Sequence, residues 1–248
     1  MHFLGDEQLL ISIQTTEQLT GAIISGDFWD FDELLNAIYR VIGDENRYYD
    51  YQGSRRRLLN TCLKMRRATQ GEYHIDYVTN GIHKQISRNQ HIVYPEKNIY
   101  FSVEILMPEL IFSAIALNDF IALHKEVIDD SEWNLHVAII RKWQAQIAEC
   151  IEPFMEEEHY LVFLTTVHAK SPFYFRYASQ YVDMLNLEYL ALSKEERSQQ
   201  LTALALRLLI QDDAYAVLKE QLLQVTNVSK QELHEIPLSF TYPEEIVW

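Results

Sequence analysis

One stretch, residues 94–124, constrains the fold more than any other part of the chain. It begins with apolar residues at every second position, which is typical of a strand: Ile99, Phe101, Val103 and Ile105. Pro108 then fits the first position of a helix, where the missing N–H costs nothing. From Leu110 to Leu123 the apolar residues point in almost every direction. A helix that is apolar all round is buried all round, so we expect this helix inside the fold.

Glycine and proline divide the chain into two parts. All 7 glycines precede residue 82 and all 6 prolines follow residue 94. Glycine serves tight turns, whereas proline starts and ends helices. We therefore predict an α+β fold with a small antiparallel sheet and helices in an N-terminal unit, residues 1–125. A predominantly helical region, residues 126–248, follows, and we expect the two to pack as one compact body.

The first third of the chain shows strand and helix signals in alternation. The residues around Ile11 alternate as a first strand, and residues 21–26 predict a second strand paired with it. Asp30 and Glu33 have the spacing of an N-cap and its reciprocal partner, and Trp29 is placed to pack onto Leu34. The helix that follows has an apolar stripe ending before Gly43: Leu34, Leu35, Ile38, Val41 and Ile42.

A second helix is predicted from Ser54 to Thr69, with Arg57 on its polar side and Arg55 and Arg66 turned toward the apolar side. Its apolar face consists of Leu58, Leu59, Cys62, Leu63 and Met65. Residues 72–78 alternate as a further strand. In the C-terminal half, helix starts are predicted by capping residues: Ser131, Ser171, Ser193, Asp212 or Asp213, and Ser229.

The formal charge of −15 is unevenly distributed. Residues 1–125 carry 12 Lys and Arg against 16 Asp and Glu, and residues 126–248 carry 9 against 20. A surface this negative repels phosphate, so binding to nucleic acid or to an anionic membrane is disfavoured. Two cysteines indicate a reducing compartment, and the N-terminus lacks the pattern of a signal peptide. These features predict a cytoplasmic protein.

Several familiar enzyme motifs are missing from the sequence, including the P-loop, the dinucleotide-binding glycine motif and the nucleophile elbow. No cofactor and no metal site are therefore predicted. The strongest metal candidates are His74 with Asp76, and the acidic run with His159, but a solvated strand face and a charged helix start explain them as well. Cys62 lies on an apolar face, where an inert buried thiol is the default.

Four charged residues are predicted to face the core: Arg55, Arg66, Glu104 and Asp119. Buried charges must be paired or change their pKa values. Two interpretations remain open. The residues form structural ion pairs that lock the sheet to the helices, with Asp119 bound to one of the arginines, or they form a polar pocket that captures a small anion or supplies a general base.

Residues 27–30 (Asp-Phe-Trp-Asp) also have two interpretations. They form a helix cap and an apolar staple, or they form an exposed aromatic and acidic loop that contacts a protein partner. Asp27 and Trp29 are the candidate binding residues in the second case.

Residues 25–34 (Ser-Gly-Asp-Phe-Trp-Asp-Phe-Asp-Glu-Leu), residues 51–59 and residues 95–110 together resemble a bacterial family of unknown function that is common in Firmicutes. The resemblance covers roughly residues 10–150. It implies a bacterial origin and a shared domain, and it brings no activity, cofactor or catalytic residue with it.

The function predicted from these features is that of a non-enzymatic acidic interaction or regulatory protein, with a basic protein as its partner. A homo-oligomer is compatible with the sequence. The alternative is a hydrolase or a small-anion-binding enzyme that uses the buried Arg, Glu and Asp residues. A concave pocket where those groups converge would favour the enzyme, whereas an exposed aromatic patch on an acidic face would favour the interaction protein.

Overall fold

A computed structural model describes residues 11–80, 95–128, 133–168, 174–210, 212–237 and 240–248. In these ranges the strands are β1 (Ser12–Thr15), β2 (Gly21–Gly26), β3 (His74–Thr79) and β4 (Lys97–Leu106). The helices of the first half are α1 (Phe28–Ile42), α2 (Gln52–Thr69) and α3 (Met107–Ile128). The helices of the second half are α4 (Leu135–Ile151), α5 (Glu157–His168), α6 (Gln180–Leu190), α7 (Lys194–Leu209) and α8 (Asp213–Ser229). The predicted α+β class is confirmed.

The four strands form one antiparallel sheet in the order β1-β2-β4-β3. Ile24 pairs with Val103 across the β2–β4 contact, and neither side chain is exposed. At the end of the same contact, a Cβ atom on Gly21 would lie 2.0 Å from the carbonyl oxygen of Ile105. Only glycine allows the two backbones to approach this closely. At Val103 and Ile105 the face of β4 is fully buried, and helices α1 to α3 contact this strand.

Helix α3 is the buried centre of the molecule, as predicted. From Leu110 to Ile121 every residue is buried, and the helix packs against α1, α2 and each of the helices from α4 to α7. Pro108 is its second residue rather than its first. The predicted division after residue 125 falls three residues before the end of α3, and this helix contacts the helices of both halves.

The cap of α1 is Asp27, so the prediction that Asp30 caps this helix is wrong. Asp27 Oδ1 accepts from the amides of Trp29 and Asp30, and Asp30 Oδ2 accepts in return from the Asp27 amide at 3.0 Å. Because the helix begins one turn earlier than predicted, Trp29 falls in its first turn and points to solvent, with 72% of its surface exposed. It does not pack on the buried Leu34. Gly43 ends the helix as predicted, with φ of 67°.

Helix α2 is rotated relative to its predicted orientation. Arg57, predicted on the polar side, is 9% exposed, whereas Arg66 is exposed and Arg55 is half-buried with Nε donating to the Gly43 carbonyl. The buried face includes small and polar residues at seven-residue spacing, which share one side of a helix: Ser54, Thr61 and Ala68. A hydrophobic pattern does not identify these residues as buried. The predicted buried face of α2 was therefore placed too close to Arg55 and Arg66.

The helix starts of the second half agree in part with the prediction. Ser193 caps α7: its hydroxyl accepts from the Glu196 amide, and the Glu196 carboxylate accepts from the Ser193 amide. Asp212 caps α8. Ser229 was predicted to open a helix but is instead the last residue of α8. The helix predicted to start at Ser131 would include Trp133, but Trp133 precedes α4, whose N-cap is Asn134. Ser131 and Ser171 lie outside the described residues.

Candidate functional site

The six candidate site residues do not converge. Asp27 and Trp29 lie together at the start of α1. Arg55 and Arg66 lie on α2, with Arg55 bound to the Gly43 carbonyl and Arg66 in solvent. The predicted convergence of the inward-facing charges is therefore not the arrangement in the structure.

Glu104 lies on the outer face of the sheet, because the neighbouring Val103 and Ile105 occupy the inner face. The prediction that it faces the core is wrong. Its Oε1 lies 3.1 Å from His74 Nε2, whose side chain is largely exposed. Asp76 belongs to the same outer row and accepts from Ser102 Oγ at 3.4 Å. This row lies on the face of the sheet opposite the buried side chains of Val103 and Ile105.

Asp119 is buried, with 7% of its surface exposed, as predicted. The predicted partners are not the groups beside it, since Arg55 contacts Gly43 and Arg66 is exposed. The Asp119 carboxylate lies near the phenols of Tyr51 and Tyr174. Burial raises the pKa of both phenols, and the Asp119 charge adds to the increase.

The start of α1 and the start of α4 form the two walls of an open groove of about 530 Å³. We call it the acidic groove, and its residues are Asp27, Trp29, Asp30, Asp32, Glu33, Asn36, Leu135, His136 and Ile139. The sequence identified Asp27 and Trp29, but the residues of the α4 wall carry no local signal. They reach the groove because α4 packs along α1.

The apolar side chains around the acidic groove are unusually exposed. Trp29 is 72% exposed and Leu135 is 66% exposed. Phe28 meets the Trp29 ring edge to face at 5.2 Å, and it is itself 47% exposed. Trp133, two residues before Leu135, is 93% exposed. Exposed apolar patches that are rimmed by polar residues mark interaction surfaces.

The charge of the acidic groove is negative. Four of its side chains are carboxylates, and His136 is the one basic side chain in its described lining. Burial raises the pKa of Asp30, and the negative charges of Asp27 and Glu33 raise it further. A hydrogen bond from the Asp27 amide acts in the opposite direction but does not cancel the increase. The carboxylates of the groove therefore repel one another, and a cation placed among them would relieve that repulsion.

A second group of charges lies between α2, α3 and α6, with two members largely buried and two partly exposed. This ionic cluster consists of Arg57, Lys64, Glu109 and Asp183. Arg57 lies 2.8 Å from both carboxylates, and Lys64 Nζ lies 3.0 Å from the second oxygen of Glu109. Tyr242 of the C-terminal segment donates to Asp183 at 2.8 Å and so covers the cluster. Each charge has an opposite charge in contact, which is the arrangement of a structural ion-pair network.

The other sequence candidates lack the geometry that their chemistry needs. Among the described residues, no three His, Cys, Asp or Glu side chains are grouped as metal ligands. Burial raises the pKa of the Cys62 thiol to about 12, and the side chain is 1% exposed. A thiol this strongly protonated and this inaccessible is a poor nucleophile.

A comparison with protein-family models gives one match, described as a domain of unknown function (DUF6904), over residues 11–248. The chain belongs to this family. The match extends across nearly the whole chain. It goes well beyond residues 10–150, the approximate range over which the sequence resembled a family of unknown function. The acidic groove, the ionic cluster and all described helices lie within the matched residues. Comparison with curated proteins and with solved structures gives no match.

One helix among the described residues is long and apolar enough to cross a membrane by length and composition, at Met107–Val127 in α3. Its most apolar window is 89% buried inside the fold. This burial is that of a core helix packed within the fold.

Proposed function

We propose that this chain is a non-enzymatic interaction protein whose acidic groove binds a basic segment of another protein. The observation that carries the proposal is the exposed indole of Trp29 beside four carboxylates in an open groove. Tryptophan is strongly enriched among residues that dominate binding energy in protein interfaces. The sequence features of residues 27–30 support a partner-binding role for the same turn.

The groove selects the chemistry of its partner. Trp29, Leu135 and Ile139 offer an apolar surface that suits one or two aliphatic side chains. The carboxylates around them favour Lys or Arg at neighbouring positions, because complementary charge accelerates and orients association. An amphipathic helix with a basic border meets both requirements.

A homodimer through the acidic groove would place the same carboxylates against each other, because a twofold interface uses one patch twice. A different protein with a basic surface avoids that repulsion. The total charge of −15 disfavours nucleic acid and anionic membranes as partners. The motif content, the low cysteine number and the family resemblance support a bacterial cytoplasmic protein.

The alternative function, an enzyme that uses buried Arg, Glu and Asp side chains, has less support. In the ionic cluster, Arg57, Glu109 and Asp183 satisfy one another. Asp119 is also buried, but neither of its predicted arginine partners lies beside it. A catalytic carboxylate or arginine needs a free side facing the substrate. We therefore assign the ionic cluster to the stability of the fold.

A basic amphipathic peptide of Leu and Lys, about 18 residues or five helical turns long, tests the proposal. We expect calorimetry to show binding to the wild-type protein that weakens with added salt, because the charges are exposed. Trp29→Ala is expected to weaken binding about tenfold or more, the loss typical of a central interface residue. The double change Asp32→Lys, Glu33→Lys is expected to weaken it similarly.

The matched control for charge is Glu244→Lys, Glu245→Lys, an adjacent acidic pair exposed on the C-terminal segment. Val228→Ala, at a position 86% exposed on α8, is the control for an exposed apolar residue. Both controls are expected to bind like the wild type. Equal affinity for a Leu and Glu peptide, or unchanged binding by Trp29→Ala, would overturn the proposal.

A further inference from the structure

A second concave site lies on another part of the surface, between the start of α2 and helix α8. Its volume is about 570 Å³, within the range of pockets that hold small molecules. Its walls come from four separate segments, and they include Tyr49, Gly53, Phe175, Lys219, Leu223 and His234. The site is distinct from the acidic groove, with which it shares none of its lining residues.

The acidic side chains of this cavity already have partners. Asp50 Oδ1 accepts from Arg176 Nε at 2.9 Å. Glu232 Oε1 accepts from the Tyr49 hydroxyl at 2.9 Å. These two contacts hold the segments of the wall together, and they leave the carboxylates less available to an incoming cation.

Lys219 is the cation of the wall that has no such partner. Its Nζ lies 5.4 Å from the centroid of the Tyr215 ring, and no carboxylate in the described part of the chain lies within ion-pair distance of it. The side chain is half-buried, and burial lowers the pKa of its ammonium group. An ammonium removed from water without an anion is unfavourable, so an anion bound beside it would be stabilised.

The apolar part of the wall is largely aromatic. Phe175 is 48% exposed, and its ring meets that of Tyr51 at 6.0 Å in an edge-to-face arrangement. Tyr49 is 60% exposed, and Leu223 is 46% exposed. The Arg176 guanidinium lies over the Phe175 ring at 5.7 Å from its centroid, and the remaining exposed aromatic and aliphatic surface offers contacts to a planar apolar ligand.

We propose that this cavity binds a small organic anion with a flat apolar body, whose carboxylate or sulfonate accepts a hydrogen bond from Lys219. The aromatic walls contact the body of the ligand, and the ammonium group sets its orientation. This site does not depend on the acidic groove, and a ligand could bind while a partner protein occupies the groove.

The test uses the full chain and the fluorescent anion 8-anilinonaphthalene-1-sulfonate. Displacement of this dye is measured with 1-naphthoate and with its neutral analogue naphthalene-1-carboxamide. We expect 1-naphthoate to displace the dye at a concentration about tenfold lower or more, the ratio that corresponds to one charge-assisted hydrogen bond. Equal displacement by the two compounds would overturn the proposal, as would the absence of dye binding.

Three variants locate the site. Lys219→Met removes the charge and keeps the apolar stem, and it is expected to weaken 1-naphthoate binding about tenfold or more. Lys219→Arg keeps the charge and is expected to retain most of the affinity. Lys194→Met, an exposed lysine at the start of α7, is the matched control and is expected to change nothing.

Thermal melting of each variant shows whether it is folded. If Lys219→Met does not fold, Phe175→Ala provides the test, because that side chain is half exposed and is expected to be dispensable for folding. A folded Phe175→Ala or Lys219→Met variant that binds 1-naphthoate as tightly as the wild type would show that the ligand binds elsewhere.

Discussion

Arg57 Nη2 lies 2.8 Å from Glu109 Oε1 in the buried contact between α2 and α3. The other terminal nitrogen of the same guanidinium lies 2.8 Å from Asp183 Oδ1 of α6. The planar fork of arginine presents its donors in fixed directions, which lysine cannot do. One side chain therefore joins two helices of the N-terminal half to one helix of the C-terminal half.

The first prediction concerns this arginine. Arg57→Met leaves Asp183 without its cation and Glu109 with Lys64 as its remaining cation, so we expect the free energy of unfolding to fall by about 3–5 kcal/mol. Arg66→Met, on the exposed side of the same helix, is expected to change it by less than about 0.5 kcal/mol. Urea denaturation measures both. A loss below about 1 kcal/mol for Arg57→Met would mean that the cluster contributes little to stability.

The second prediction is a dependence on pH. Burial opposes the charged form of Glu109, but Arg57 and Lys64 outweigh it and hold its pKa below the ordinary value of 4.5. A carboxyl whose pKa is lower in the folded state adds stability above its unfolded pKa and loses it as the pH falls through the folded pKa. We expect the wild type to have a larger free energy of unfolding than Glu109→Gln. This difference is expected to be largest near pH 7.

Below pH 4.5 the unfolded carboxyl of Glu109 takes up its proton first, so the stability difference between the wild type and Glu109→Gln is expected to shrink. Urea unfolding at pH 7 and at about pH 3 measures this difference. Unfolding at pH 7 and at about pH 8 is the control, since the difference should be constant there. A difference that stays the same down to about pH 3 would contradict the lowered pKa.

The third prediction concerns the cap of α1. Asp27→Ala removes the acceptor for the amides of Trp29 and Asp30, and we expect it to cost about 1 kcal/mol of unfolding free energy. Asp30→Ala is expected to cost less, because it loses one hydrogen bond but also relieves repulsion from Asp27 and Glu33. Thermal or urea unfolding compares the two. A larger loss for Asp30→Ala would reverse this assignment.

The fourth prediction concerns the thiols. Burial raises the pKa of both Cys62 and Cys150 to about 12, so neither forms much thiolate near pH 8. We expect the native protein to react with iodoacetamide far more slowly than the urea-unfolded protein. Mass spectrometry of the labelled peptides distinguishes the two cysteines. Fast labelling of native Cys62 would show that its helix face opens to solvent.

Local patterns in the sequence were sufficient for much of the fold. Alternation located the strands, and the all-round apolar character of residues 110–123 identified α3 as the core helix. Ser193 followed by Glu196 located the start of α7. Each of these features depends on residues within one or two turns of each other, where periodicity and capping chemistry operate.

The assignment of inward and outward faces was less successful where the buried residues were not apolar. Ser54, Thr61 and Ala68 are buried, and a hydrophobic pattern gives them little weight. The buried face of α2 was therefore predicted in the wrong position, with Arg57 on the polar side and Arg66 on the apolar side. For the candidate site, residues 27–30 indicated one wall of the acidic groove, whereas the opposite wall lies more than 100 residues later.

The sequence by itself determined the class of the fold, the identity of the central helix and the strong negative charge. These depend on composition and on short-range periodicity. Only the tertiary structure decided which charges meet. Arg57 pairs with Glu109 and Asp183, 52 and 126 residues away, and Lys219 lines a cavity with Tyr49. Such contacts depend on how the helices pack, which is a property of their mutual surfaces rather than of any one segment.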